Sequence, residues 1–200
     1  MDVKFSQRLN SRYFNSKRSG FFIEAGAMGG TSHSVCLWFE QELGWSGINI
    51  EPNVSLYNKL IKNRPNSINI NCALSDKINE SILLVPVRLD NSEMKGHGSI
   101  SPDARIRFKN KKLNTYSVRT DTYTNIILQY KIESVDLFVL DIEGYELNVL
   151  NDFKNCEILP YVLAVETNKT YKQDILDLLS PLDYKLDWYD KTDSYFVRSI

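Results

Sequence analysis

The chain has 200 residues, 24 Lys and Arg against 25 Asp and Glu, a formal net charge of −1 at pH 7 and 42% hydrophobic content. That length buries a self-sufficient core, and the balanced charge creates no global field for nucleic acid or an anionic membrane. Three cysteines without metal-ligand spacing read as reduced thiols, no apolar run approaches the ~20 residues of a membrane span, and the first residues carry no signal core. The expectation is one soluble, cytoplasmic domain over residues 1–200.

Residues 1–20 place Phe5, Leu9, Tyr13 and Phe14 at helical spacing, which predicts an N-terminal helical extension covering an edge of a sheet or serving as a lid. Phe21-Phe22-Ile23 is an apolar run of strand type. It enters Glu24-Ala25-Gly26-Ala27-Met28-Gly29-Gly30, where small residues replace bulky ones. Over residues 31–43 the period changes, with Val35, Trp38, Phe39 and Leu43 on one helical face, and Gly44 stops the helix. Gly47-Ile48-Asn49-Ile50 gives a second strand ended by Glu51 and Pro52, so residues 21–51 form a crossover unit with parallel strands. Asn53 caps a helix carrying Val54, Tyr57, Leu60 and Ile61, and residues 67–72 form a third strand followed by Ala73 and Leu74.

Residues 80–120 interrupt this rhythm and read as an insertion over the active site. Pro86 demotes the strand-like residues 81–88 to a sheet edge. Asp90 to Thr115, polar and turn-rich, with His97 between two glycines and basic residues from Arg105 to Lys112, reads as a long functional loop, and Val118-Arg119-Thr120 resumes an extended form. Thr120 or Asp121 caps the next helix. A strand over 135–140 runs into Asp141-Ile142-Glu143-Gly144, a helix follows, and a strand over 160–165 ends at Glu166. After one more helix, residues 184–189 and 194–197 form a hairpin about Asp190-Lys191-Thr192-Asp193. The expected fold is α/β: a doubly wound, Rossmann-like sheet of about seven strands with a terminal antiparallel hairpin.

The chemistry of such a sheet gathers at the carboxyl ends of its strands. Small residues in the first loop let a ligand approach the backbone and its N–H donors. Glu51 stands roughly 20–25 residues beyond, where a carboxylate accepts both ribose hydroxyls. The loop is not G-x-G-x-x-G, and the acid Glu24 ahead of the glycines suits a cationic group, such as the amino group of S-adenosylmethionine, better than a pyrophosphate.

Four segments together resemble the FkbM family of S-adenosylmethionine-dependent methyltransferases. They are residues 22–27 with Gly30, residues 44–53, residues 71–76 and residues 135–146 (VDLFVLDIEGYE). The resemblance implies the class I methyltransferase fold, S-adenosylmethionine as cofactor and O-methyl transfer to a small-molecule or glycan hydroxyl. Its cofactor site then comprises Glu24, Gly26, Ala27, Gly30, Glu51, Pro52, Ala73, Leu74 and Asp141. Met28 and Gly29 stand where the family commonly has Asn or Asp, so Thr31 and Ser32 are further candidates for contact with the methionyl part. Asp141, Glu143 and His97 are the candidate catalytic groups, as a hydroxyl acceptor benefits from a base. Asp141, Glu143 and Glu166 could alternatively gather a divalent metal, or the acids could simply face a helix dipole. An NAD-dependent oxidoreductase and a non-catalytic binding protein on the same fold are the rival readings.

Overall fold

A computed structural model describes residues 3–86, 98–102, 115–167, 172–190 and 193–199. Seven strands form the main sheet in the order β10-β11-β9-β8-β1-β2-β3: β1 (Phe21–Ala25), β2 (Ser46–Ile50), β3 (Ile68–Ile70), β8 (Leu137–Leu140), β9 (Val162–Glu166), β10 (Tyr184–Asp190) and β11 (Asp193–Arg198). The five strands from β3 to β9 are parallel. The chain then returns through β11, antiparallel to both β9 and β10. The doubly wound sheet and terminal hairpin expected from the sequence are both present.

Helices cover both faces. Ile126 and Ile127 of α4 (Tyr123–Gln129), Leu150 of α5 (Glu146–Leu150) and Ile175 of α6 (Lys172–Leu179) join Ile23, Ile48, Phe138 and Leu163 in the larger core. On the opposite face, Leu9 of α1 (Val3–Leu9) and Phe39 of α2 (Cys36–Leu43) pack on Phe22, Leu137 and Tyr195. The alternation of strand side chains explains this division: Ile23 points one way, Phe22 the other. α1 runs on through a π turn at Asn10–Phe14 and covers a sheet face rather than an edge alone.

Several boundaries differ from the sequence reading. α2 begins at Cys36, because Gly26, Met28, Gly30 and His33 all take left-handed φ angles and the loop winds through that stretch. The cap of α4 is Thr122, which accepts from the Asn125 N–H. Of the strand-like residues 81–88, residues 81–86 fall in a strand, as do the extended residues 118–120. β4 (Ala73–Leu74), β7 (Tyr116–Asp121), β5 (Ser81–Pro86) and β6 (Gly98–Ser99) build a second, four-stranded sheet in the order β4-β7-β5-β6. β5 lies between β7 and β6 in that order, yet residues 81–84 pair only with β7 and residues 85–86 only with β6, so among the described residues Pro86 has a neighbouring strand on one side alone, as expected of an edge position. Pro86 is tolerated because it falls at the strand's last residue. The basic run 105–112 lies outside the described residues.

Phe138 is fully buried, with Tyr123 and Phe153 ring centroids 5.4 and 6.2 Å away. Phe138→Ala is expected to cost about 3–5 kcal/mol in urea unfolding, with little change in the denaturant slope.

Candidate functional site

The parallel strands bring the residues after Ala25, Ile50, Leu140 and Val165 to one end of the sheet. Here Gly26 takes φ +84°, and a Cβ placed on it would lie 1.9 Å from the Asp141 carbonyl oxygen. Only glycine lets the two backbones meet. Two cavities open on either side of this contact and share Gly26, Met28, His33 and Asp141.

The first, of about 320 Å³, is lined by Glu51, Pro52, Ala73, Leu74, Asp141 and Glu143, and by Leu84 and Ile100 of the second-sheet region. Glu51 is buried, its Oε2 accepting from the Met28 N–H at 2.9 Å and its Oε1 from the Asn53 N–H at 2.7 Å. Burial pushes its pKa up to about 7 against the pull of those two donors. Each carboxylate oxygen retains acceptor capacity for a ligand hydroxyl.

The second cavity, of about 300 Å³, is lined by Phe5, Ser32, Asp141, Glu166, Asp193 and Tyr195, with Glu24 and Ala27. Glu166 ends β9 beside Asp141 and opposite Asp193. Burial, followed by the charges of Asp141, Glu146 and Glu143, pushes its pKa up to about 8, and it shares a side-chain hydrogen bond with Asp141. Trp188 does not line this cavity. It stacks on Tyr195 at 4.5 Å and on Phe5 at 6.2 Å, backing the aromatic wall.

Not every anticipated residue reaches these cavities. Glu24 borders the second, but its carboxylate accepts from Ser34 Oγ (2.6 Å) and from the N–H groups of Val35 (2.8 Å) and Cys36 (3.3 Å) at the start of α2. Strand alternation puts it on the face of Phe22, under that helix. Gly30 and Thr31 line neither cavity. A Cβ on Gly30 would meet Arg64 Cγ and Leu60 Cδ1 at 2.7 Å, so this glycine serves helix packing. The loop N–H groups expected as ligand donors are largely spent inside: Gly26 and Ala27 both donate to Ile50 O, Met28 to Glu51 and Gly30 to Ala27 O. His33 borders both cavities, whereas His97 lies outside the described residues. Among the described residues no three His, Cys, Asp or Glu side chains converge on a metal position.

The sequence reading missed two groups. Glu146, buried, accepts from the N–H groups of Ile142 (3.0 Å) and Gly144 (3.1 Å) and fixes the turn carrying Glu143, which has φ +62°. Burial pushes its pKa up to about 7. An acid in the first turn of a helix was the available signal. Arg64 is fully buried among Glu40, Glu24 and Ser34; a basic residue next to a helix-ending proline gives no such hint.

This arrangement fits S-adenosylmethionine. A glycine cradle closed to any Cβ, a buried carboxylate with no cation paired to it among the described residues, and apolar walls at Leu74, Leu84 and Ile100 suit an adenosine. The antiparallel β11 departs from the parallel continuation that a dinucleotide-binding sheet requires. Sheet order and cradle together define a class I S-adenosylmethionine-dependent methyltransferase. Residues 24–186 match the family described as methyltransferase FkbM domain, and the chain belongs to that family.

Solved structures agree on the fold. A TehB-like S-adenosylmethionine-dependent methyltransferase from Corynebacterium glutamicum aligns at 11% identity over 99% of this chain and 89% of its own, with a TM-score of 0.50. Fibrillarin from Aeropyrum pernix, with natively bound S-adenosyl-L-methionine, aligns at 10% identity over 98% and 74%, with a TM-score of 0.53. The human methyltransferase 10 domain containing protein aligns at 10% identity over 98% and 79%, with a TM-score of 0.51. No curated protein sequence matches. No helix among the described residues is long and apolar enough to cross a membrane.

A carboxyl whose pKa is raised in the folded state favours folding below its unfolded value, and that stability is lost as pH rises through the folded value. For Glu51 the window runs from 4.5 to about 7. Glu51→Gln is therefore expected to melt above the unmodified protein at pH 8 without ligand. The gap should close at pH 4 to 5, as two thermal unfolding series would show.

Proposed function

We propose that the chain transfers the methyl group of S-adenosylmethionine to a hydroxyl oxygen of a sugar, glycan or secondary metabolite. Asp141 carries this reading: it borders both cavities at their partition, where a donor on one side and an acceptor on the other would meet. The bound cofactor supplies a sulfonium-activated methyl group. The protein's task is then mainly alignment and exclusion of water, worth roughly 7–11 kcal/mol when reacting groups are held well.

In this reading Glu51 receives the ribose hydroxyls, and Pro52, Ala73 and Leu74 flank the adenine. Ala27 and Ser32, on the wall of the second cavity, are assigned to the methionyl end where it reaches past the partition; Thr31 borders neither cavity and supports the loop, with Glu24 fixing that loop from behind. Asp141 takes the proton of the acceptor hydroxyl. Glu166, holding its own proton near neutral pH, donates to Asp141 and keeps its carboxylate oriented. Glu143 lies at the rim of the donor cavity, and His97 stands as the alternative base. Phe5 and Tyr195 offer flat aromatic faces and Asp193 an acceptor oxygen, a combination suited to a polyhydroxylated ring.

The test is transfer from a labelled methyl donor to a panel of sugars and hydroxylated metabolites, beside titration with S-adenosylhomocysteine. Glu51→Ala is expected to weaken that titration by about one to two orders of magnitude. Asp141→Asn should lower kcat by about 100- to 10,000-fold while changing donor KM little. Absence of S-adenosylhomocysteine binding by the unmodified protein would overturn the reading.

A further inference from the structure

We propose that Asn63 and Arg64, at the end of α3 (Val54–Asn63), are positioning residues for the cofactor, gripping the carbonyls of Gly29 and Gly30 and thereby setting how the loop meets Glu51. The inference rests on the reading of Glu51 as the ribose-binding carboxylate.

The loop has anchors on both flanks. On the β2 side, Gly26 and Ala27 donate to Ile50 O at 3.1 Å, and Met28 N–H donates to Glu51 at 2.9 Å. On the α3 side, Asn63 Nδ2 donates to Gly29 O at 2.7 Å and Arg64 Nη1 to Gly30 O at 3.3 Å. Met28 lies between these anchors and holds φ +52°, a conformation that a side chain with a Cβ adopts only at a cost. Its neighbours on either side enforce it. If the Gly29 carbonyl were released, Met28 could relax toward negative φ, and its N–H would swing away from Glu51.

Arg64 gives the grip its rigidity. Its side chain is fully buried, with Nε on Glu40 at 2.8 Å, Nη2 at 2.7 Å from the same carboxylate, and Nη1 also on Ser34 Oγ at 3.1 Å. Glu24 lies 3.6 Å from Nη1 and holds the start of α2. One planar guanidinium thus joins α3, α2 and the loop, a geometry that a lysine ammonium cannot reproduce. Gly30 fits against its stem because any Cβ there would strike Arg64 Cγ. Neither side chain borders either of the two cavities, so both act through the loop.

Asn63 provides the cleaner test, because its side chain is exposed and its removal leaves the core untouched. Asn63→Ala is expected to weaken S-adenosylhomocysteine binding by calorimetry about five- to tenfold. Its ligand-free melting temperature should stay within about 3 °C. Asn63→Asp, which turns an acceptor toward Gly29 O, should weaken binding further. Donor KM should rise in both variants with kcat at saturation unchanged. The pH dependence supplies a separate readout. The Met28 N–H favours the Glu51 carboxylate, so its loss should move the rise of affinity with pH to higher values. His33, Asp141 and Glu143 share that cavity wall and remain unaltered in these variants. Arg64→Lys should weaken binding and also lower the melting temperature.

Wild-type affinity and pH profile in both Asn63 variants would overturn the proposal, as would weaker binding that merely follows an equal loss of thermal stability. An unmodified protein that does not bind S-adenosylhomocysteine would instead overturn the reading of the site itself, and this inference with it.

Discussion

The meeting of two backbones at Gly26 and Asp141 governs the rest of this structure. Neighbouring parallel strands lie about 4.8 Å apart, and continuing them past their ends normally forces the chains to diverge around side chains. Here a glycine with left-handed φ faces the Asp141 carbonyl with no intervening Cβ. The loop after β1 and the turn after β8 therefore stay close, and the space beyond them divides into two cavities rather than one open groove.

The acids at this end of the sheet oppose folding. Glu51, Glu146 and Glu166 have raised pKa values chiefly because burial disfavours their charged forms. Glu51 and Glu146 are held by backbone N–H groups rather than by cations. Such an arrangement keeps their remaining lone pairs available, which a salt bridge would not. The contrast with Arg64 is instructive: that buried charge is matched by Glu40 and Glu24 and serves to join elements.

The strands, their order of use and the terminal hairpin were legible in the sequence because each rests on a local pattern. Apolar runs such as Val162–Glu166 and the change of period after Gly30 need no knowledge of distant contacts. Glu51, Ala73, Leu74 and Asp141 were legible as cavity residues for the same reason, since they follow strand ends. Glu24 was harder. Its place before the glycines suggested a ligand contact, yet alternation from Phe22 assigns it to the α2 face, where it caps a helix. Gly30 was read as part of the cradle, whereas its neighbour is Arg64, distant in sequence and brought close only by the crossover. Residues 81–88 and 118–120 were legible as extended chain but not as partners, because β5 and β7 pair over more than 30 positions and the pairing leaves no mark on either segment alone.

The position of β11 affects the order in which the molecule can be completed. It lies between β9 and β10, and it carries Tyr195, on which Phe5 of the first helix packs at 5.6 Å. During synthesis the ribosome releases α1 long before its aromatic partners exist, so that helix has no finished platform until β11 has emerged. A contact of such long sequence separation forms late and folds slowly. The wall of the second cavity, to which Phe5 and Tyr195 both belong, thus becomes complete only once β11 has joined the sheet.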